Sequence, residues 1–270
     1  MTAAAALAAV SLGGSSTAHE IAVCVAKGGP RPAASRAEWR AHALVKRVFT
    51  NAGLEVAVQR FPVRGRGRSR NVIGIYDAPA PCLRIVMAHT DSTPNGPGAN
   101  DNASGVGVLA ELAPRLRRVK PACDVWLVAT GAEERVYTRS PDHLGALALS
   151  RRVRSRGLRR RLRWALSLDE VGRGPDFWLR SSARGVRKGV ERELLTAARR
   201  ARVRVRWVRD EGTGNSDHRE FQIFGMPGAK LGVGARGEPC RHMPCDRTGR
   251  LQPRALKRAL ALVERALRIR

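Results

Sequence analysis

Seven side chains of this sequence that could bind a metal ion or transfer a proton lie just after predicted strands or at the start of a predicted helix. They are His89, Asp91, Asp101, Glu133, Glu134, Asp169 and His242. His89 and Asp91 come directly after the apolar run at 83–88, and Asp101 precedes a helical pattern. In open α/β sheets, ligands bind in the crevice beyond the carboxyl ends of the strands. The placement therefore predicts that these side chains converge in one crevice.

The residue types favour zinc, with cobalt or manganese as substitutes. Imidazole and carboxylate ligands without an obligatory thiolate are typical of catalytic sites for these ions. Two histidines and three carboxylates exceed the ligand set of a single catalytic zinc ion. They suit two ions that share one carboxylate, each with a neutral imidazole and a terminal carboxylate. The set therefore predicts a pair of metal ions with positions open for water and substrate.

Each of these residues has a plainer explanation when it is taken alone. A histidine after a strand is more often a loop residue, and Glu133 with Glu134 could be a solvated acidic pair. Asp169 could equally cap a helix or pair with an arginine. Asp91 lies two residues after His89 and could hydrogen-bond its second ring nitrogen, as metal-binding imidazoles usually require. The common location at strand ends is what favours the metal site.

The elements that would position these side chains alternate between strand and helix. Strands are predicted at 54–61, 71–76, 83–88, 124–130, 163–168, 203–208 and 229–233. Helices are predicted at 20–27, from Ser35 to about residue 51, and at 102–119, 143–153, 186–200, 217–224 and 253–269. Ser35 is read as an N-cap, with Glu38 completing a capping box. The pattern predicts an α/β fold, a three-layer sandwich with a mixed central sheet.

The domain prediction is one catalytic domain over residues 19–270, preceded by an apolar leader at 1–18. The leader resembles the apolar and cleavage regions of a secretory signal, although the positively charged start is missing. It is therefore interpreted as the remnant of a signal, and a secreted or cell-envelope location is favoured over the cytoplasm. No stretch of the sequence is long and apolar enough to predict a transmembrane helix.

The net charge of +27 first suggests nucleic acid or another polyanion as a partner. Arginine is nevertheless scattered along the chain, and aromatic residues that could stack on bases make up only 4% of it. Solvated basic faces explain the charge without a specific partner. Polyanion binding is thus not favoured, and the run at 151–163 is the best candidate if it occurs.

The five cysteines are an odd number for a disulfide framework. Cys24, Cys82 and Cys123 lie in or near apolar segments and are predicted to be small buried residues. Cys240 and Cys245 are close enough in sequence to bridge across a loop, but spacing alone does not decide this. They could also be metal ligands, although no second cysteine pair completes a zinc cage.

Six segments resemble, in order, the motifs of the co-catalytic di-zinc aminopeptidases, the family of bacterial leucyl aminopeptidases and aminopeptidase Y. They are MAHTDS at 87–92, GPGANDNASG at 96–105, TGAEE at 130–134, SLDEVGRG at 167–174, NSDHREF at 215–221 and RHMPCD at 241–246. The resemblance covers nearly the whole chain. It implies a zinc-exopeptidase-like fold and a hydrolase that removes N-terminal residues from peptides with a free N-terminus.

The resemblance also implies a role for each metal ligand. His89 and Asp169 would hold one zinc ion, and Glu134 and His242 would hold the other. Asp101 would bridge the two ions.

The remaining roles follow from the same resemblance. Asp91 would orient His89, Glu133 would be the general base, and the peptide bond Asp101–Asn102 would be cis. Family members often have tyrosine where this chain has Arg241, so the contacts of that hydroxyl group are not expected here.

Two other functions compete with this interpretation. A glutaminyl cyclase, built on a similar scaffold, would bind a single zinc ion through Asp101, Glu134 and His242. It usually has Asp-Asp-His where this chain has Ser-Asp-His at 216–218. A non-catalytic binding module would normally have lost metal ligands, and none is lost in this sequence. A metal count distinguishes the cyclase from the aminopeptidase.

Overall fold

The central element of the fold is a mixed eight-stranded sheet, seen in a computed structural model that describes residues 16–134, 143–182, 189–210, 216–234 and 236–269. The strands are β1 (Glu55–Val63), β2 (Gly67–Tyr76), β3 (Leu83–His89), β4 (Asp124–Thr130), β5 (Leu162–Leu168), β6 (Phe177–Ser181), β7 (Val205–Arg209) and β8 (Gly228–Val233). Their order across the sheet is β1-β2-β4-β3-β5-β8-β6-β7.

The middle of the sheet is parallel and its flanks are partly antiparallel. Strands β4, β3, β5 and β8 run parallel to one another. The β1–β2, β2–β4 and β6–β8 pairs are antiparallel, and the β6–β7 pair is parallel. All seven residues of β3 are buried. A parallel strand covered on both faces is expected to be a continuous apolar run, which is how the sequence reads here.

Helices cover both faces of the sheet. They are α1 (Ala18–Lys27), α2 (Arg36–Asn51), α3 (Ser104–Leu112), α4 (Leu116–Val119), α5 (Leu144–Ser155), α6 (Val190–Arg200), α7 (His218–Ile223) and α8 (Pro253–Arg268). Val86 and Ala88 of β3 pack in one core cluster with α1, α2, α3, α6 and α8. Ile85 and Met87 pack in a second cluster with α5 and α7. The predicted α/β sandwich with a mixed sheet is therefore confirmed. Within the described residues, the helices are all too short or too polar to cross a bilayer.

Two predictions about the helices were wrong. The predicted helix at 102–119 is divided into a π-helical turn (Ala99–Ala103), α3, a 3-10 turn (Ala113–Arg115) and α4. Pro114 lies in the 3-10 turn. Because proline has no N–H to continue the helical hydrogen bonds, the α-helix is interrupted there. The predicted capping box of α2 is half formed. Ser35 accepts the Glu38 N–H, but the Glu38 carboxylate turns inward to the Ser69 hydroxyl and the Ala34 N–H.

Strand β6 was not predicted from the sequence. It has only five residues, and its side chains alternate between buried and half-buried positions. Trp178 and Arg180 occupy the half-buried positions. With one large aromatic and one charged residue in so short a segment, the apolar alternation that indicates a strand is hard to recognise. The start of the helix predicted at 186 and most of the leader at 1–18 lie outside the described residues.

Cys82 and Cys123 form a disulfide, so the prediction that they are separate small buried residues was wrong. The cause is the strand order. Because β3 and β4 are parallel neighbours with Leu83 opposite Asp124, the two cysteines immediately before those residues lie side by side. Their Cα atoms are 4.9 Å apart. Cys240 and Cys245, which the sequence left open, form a second disulfide, and Cys24 is unpaired.

Replacement of both Cys82 and Cys123 by alanine is expected to lower the free energy of unfolding by about 4 kcal/mol. This estimate is the loop-closure entropy of a crosslink that spans 41 residues. Urea unfolding under oxidising conditions measures the loss. As a matched control, replacing Cys240 and Cys245, which are separated by 5 residues, is expected to cost only about 2 kcal/mol. An equal loss for the two pairs would contradict the expectation.

Candidate metal centre

The side chains predicted to bind metal lie along one edge of the sheet. His89 is the last residue of β3, Glu134 follows β4 and Asp169 follows β5. These three strands are parallel neighbours, so their carboxyl ends meet at the same edge. Asp101, in the π-helical turn before α3, and His242, in the loop after β8, complete the group. All five predicted ligands are thus brought together, as the strand ends indicated.

The bridging position suggested for Asp101 is visible in the distances. His89 Nε2 lies 3.3 Å from Asp101 Oδ1 and 3.6 Å from Asp169 Oδ1. His242 Nε2 lies 3.3 Å from Asp101 Oδ2 and 3.0 Å from Glu134 Oε2. Each oxygen of Asp101 therefore faces a different imidazole. The same ring nitrogen also faces a second carboxylate, which is Asp169 for His89 and Glu134 for His242.

Buried polar atoms without partners show that the group fits a cation. His89 Nε2, Glu134 Oε1 and Asp169 Oδ1 are buried and make no hydrogen bond to other described residues. Buried polar atoms normally have partners, because desolvation is costly without them. Two groups of three side chains each have ligand atoms within 4.8 Å of one another. One group is His89, Asp101 and Glu134, and the other is His89, Glu133 and Asp169. The donor set is that of zinc or a similar ion.

Hydrogen bonds hold the ligands in place from behind. The Asp246 carboxylate accepts the N–H groups of Asn100 and Asp101 at 2.8 and 2.9 Å. Asn102 donates its side-chain amide to the Leu168 carbonyl at 2.8 Å. The Asp101–Asn102 peptide bond is cis, as the family resemblance implied.

Asp91 lies beside Nδ1 of His89, but its carboxylate hydrogen-bonds mainly to the main chain of other residues. His89 Nδ1 lies 3.2 Å from the main-chain oxygen of Asp91 and 3.7 Å from its carboxylate. The carboxylate accepts the N–H groups of Glu133 and Glu134 at 3.1 and 3.0 Å. Asp91 therefore links the end of β3 to the segment after β4. The role predicted for it, orientation of His89, is consistent with this position and remains a prediction.

Burial and mutual repulsion set the protonation of the group. Burial, opposed by His89 but reinforced by Glu134 and Asp169, raises the pKa of Glu133 well above its ordinary value. Burial and the Asp101 charge raise the pKa of Glu134 to about 7. Burial also acts to raise the pKa of Asp101, but the His242 and His89 imidazoles that face its two oxygens outweigh it and lower that pKa to about 2.

The carboxylates of Asp101 and Glu134, which face His242 Nε2, favour the protonated form of that imidazole. Hydrogen bonds to Asp101 and Glu134 raise the pKa of His242 to about 10. A metal ion must displace such protons, because the ligands bind as neutral imidazole and ionised carboxylate.

Three residues near the centre were not expected from the sequence. His143 lies with its Nε2 3.5 Å from Glu133 Oε1 and its Nδ1 3.3 Å from Glu220 Oε1. Asp217 accepts the Thr130 hydroxyl at 2.5 Å. Lys230 donates to Asp169 Oδ2 at 2.6 Å, which leaves Asp169 Oδ1 facing His89. The one available signal was the charge of Lys230 within the apolar strand β8.

The parallel-centred α/β sandwich, with buried imidazoles and carboxylates at its strand ends, has an aminopeptidase-like metallopeptidase fold. The chain belongs to Peptidase family M28, whose family model matches residues 71–267.

Similar proteins include aminopeptidases and a glutaminyl cyclase. An aminopeptidase of Bacillus subtilis, YwaD, is 31% identical over 213 residues, which is 74% of this chain and 44% of that protein. The solved zinc aminopeptidase of Bacillus subtilis has a TM-score of 0.78 at 20% identity, covering 93% of this chain and 94% of that one. A glutaminyl cyclase of Bacteroides thetaiotaomicron has a TM-score of 0.77 at 19% identity, covering 94% and 97%. The chain spans less than half the length of the curated relatives that it matches.

Proposed function

We propose that this chain is a zinc-dependent aminopeptidase that holds two ions through His89, Asp101, Glu134, Asp169 and His242. The observation that carries the proposal is the Asp101 carboxylate, whose two oxygens each lie 3.3 Å from a different imidazole. A carboxylate between two imidazoles, each with a further carboxylate beside it, suits two ions about 3.5–4 Å apart. The aminopeptidase YwaD, 31% identical to this chain, supports the same activity.

The residues would share the chemistry in a simple way. The five ligands would hold divalent cations, and when bound these would supply Lewis acidity at the scissile carbonyl and lower the pKa of the attacking water. Glu133 accepts a proton from that water and transfers it to the leaving amine. His143, 3.5 Å from the Glu133 carboxylate, restricts the orientation of that carboxylate. Asp91 holds the main chain of Glu133 in register with His89 through its hydrogen bond to the Glu133 N–H.

Removal of metal is expected to abolish hydrolysis of aminoacyl-p-nitroanilides, and added zinc is expected to restore it. The reason is that the centre's carboxylates and imidazoles need cations to activate water at neutral pH. The assay compares untreated protein, chelator-treated protein and protein with zinc added back. Nα-acetylated substrates are the control, and an aminopeptidase leaves them intact because they lack a free amine. Activity that is unchanged after chelator treatment would contradict the proposal.

A second candidate is a single-zinc glutaminyl cyclase, which the similarity to the Bacteroides cyclase structure favours. It would use Asp101, Glu134 and His242, which also lie together here. The unpartnered atoms of His89 and Asp169 on the other side of Asp101 favour the aminopeptidase. Cyclisation of a glutaminyl peptide, with one zinc per chain, would favour the cyclase. Release of free amino acids, with two zinc ions per chain, would favour the aminopeptidase.

A further inference from the structure

A cavity of about 190 Å³ lies beside the metal centre, between strands β6 and β8 and the loop that follows β8. Its wall includes Glu170, Trp178, Arg180, Lys230, Glu238 and Arg241. Glu170 directly follows the predicted ligand Asp169, and Arg241 directly precedes His242. The Lys230 ammonium in the same wall contacts Asp169 at 2.6 Å. The cavity and the metal centre are therefore immediate neighbours.

The carboxylates in the cavity wall are already paired. Glu170 accepts from the Arg241 guanidinium at both oxygens, one of them at 2.8 Å. Glu238 accepts from Arg173 and from Arg250, each at 3.1 Å. Neither carboxylate is left to bind a cationic group from outside.

Two hydrogen-bond donors in the same wall have no acceptor among the described residues. The indole Nε1 of Trp178 is buried and makes no hydrogen bond to the described part of the chain. The Arg180 guanidinium lies 5.0 Å from the centre of the Trp178 ring. It has no carboxylate within 4 Å among the residues that the structure describes. Indole and guanidinium are donors only. The cavity therefore presents unpaired donors and positive charge, and both carboxylates in its wall are already paired.

We propose that this cavity binds a carboxylate that the substrate carries next to the scissile bond, with Arg180 and Trp178 as its donors. The inference rests on the proposed peptidase activity, because only then does a substrate lie against the metal centre. Two parts of a peptide supply such a carboxylate. One is the side chain of an N-terminal glutamate or aspartate, and the other is the terminal carboxylate of a dipeptide.

Two matched substrate pairs distinguish these sources. Glutamyl and glutaminyl p-nitroanilides differ only in the side-chain charge, and leucylglycine and leucylglycinamide differ only in the terminal charge. We expect a kcat/KM at least about 10-fold higher for the charged member of one pair, as for a hydrogen bond to a charged group. The pair that shows the preference identifies the source. Equal rates within both pairs would overturn the inference while leaving the aminopeptidase proposal intact.

The variant Arg180→Gln is expected to reduce that preference to about twofold or less, since one charged hydrogen bond accounts for most of it. Arg206→Gln is the matched control. Arg206 lies opposite Trp178 on the neighbouring strand β7, is exposed and is outside the cavity wall, so its loss should retain the preference. If both variants lost the preference equally, general surface charge would explain it, and the assignment of Arg180 as the carboxylate donor would be overturned.

Calorimetry tests the cavity without catalysis. The wild type should bind free glutamate about 10-fold more tightly than glutamine, or glycylglycine more tightly than glycylglycinamide. Arg180→Gln should remove the difference. If all substrates resist hydrolysis, the aminopeptidase proposal fails, and the calorimetric comparison still supports or overturns carboxylate binding.

Discussion

Replacement of Glu133 by glutamine is expected to lower kcat by about 10²–10⁴-fold while the protein keeps its metal ions. Glutamine has nearly the shape of glutamate but cannot accept and return a proton. Glu133 is 7% exposed and lies 3.9 Å from His89 Nε2, so its carboxylate borders the centre without being one of the five predicted ligands. The substitution therefore separates proton transfer from metal binding.

The measurement is kcat with a leucyl p-nitroanilide, together with zinc content by mass spectrometry of the purified variant. Glu220→Gln is the matched control. Glu220 is also buried and contacts His143 from the opposite side at 3.3 Å, but no predicted metal ligand lies beside it. We expect a much smaller effect on kcat there. A Glu133→Gln variant that retains full activity, or one that loses its zinc, would contradict the role of general base.

Replacement of Asp101 by asparagine is expected to have the second large effect, a loss of zinc binding and with it of activity. An amide has one oxygen acceptor in place of two, so one of the imidazoles that Asp101 now faces would face an N–H₂ group. Removal of an outer hydrogen-bond partner typically costs about 10–100-fold in metal affinity. Loss of the bridging ligand itself should cost more than that.

Asp246→Asn provides a comparison at a residue that contacts the predicted ligand Asp101 and is not itself a predicted ligand. Its carboxylate accepts the Asp101 N–H at 2.9 Å and would not touch a metal ion. Competition with a chromogenic zinc chelator measures the affinity of both variants. We expect a loss of about 10–100-fold for Asp246→Asn and a larger loss for Asp101→Asn. If the Asp101 variant bound two zinc ions with the affinity of the wild type, the bridging role would be wrong.

The sequence predicted the candidate site better than it predicted its surroundings. The ligands lie after strands whose apolar runs are long and uninterrupted, so the ends of those strands could be located from periodicity. The position of His89 at the end of β3 and that of Asp169 after β5 follow from this. The division of the ligands between two ions came from the resemblance to a family and stays a prediction.

Features that depend on which strands are neighbours could not be predicted. Periodicity does not reveal strand order, so neither the proximity of Cys82 to Cys123 nor the contact of Lys230 with Asp169 could be inferred. The same applies to the cavity beside the centre, whose wall includes the unpredicted strand β6. His143 was also missed, because its contact with Glu133 depends on how the chain turns into α5.

Anomalous X-ray scattering from a crystal, recorded above and below the zinc edge, tests the two-ion centre most directly. Two zinc peaks about 3.5–4 Å apart are expected, with Asp101 between them. His89 and Asp169 should bind one ion, and Glu134 and His242 the other. A single peak bound by Asp101, Glu134 and His242, or peaks elsewhere in the molecule, would contradict the account.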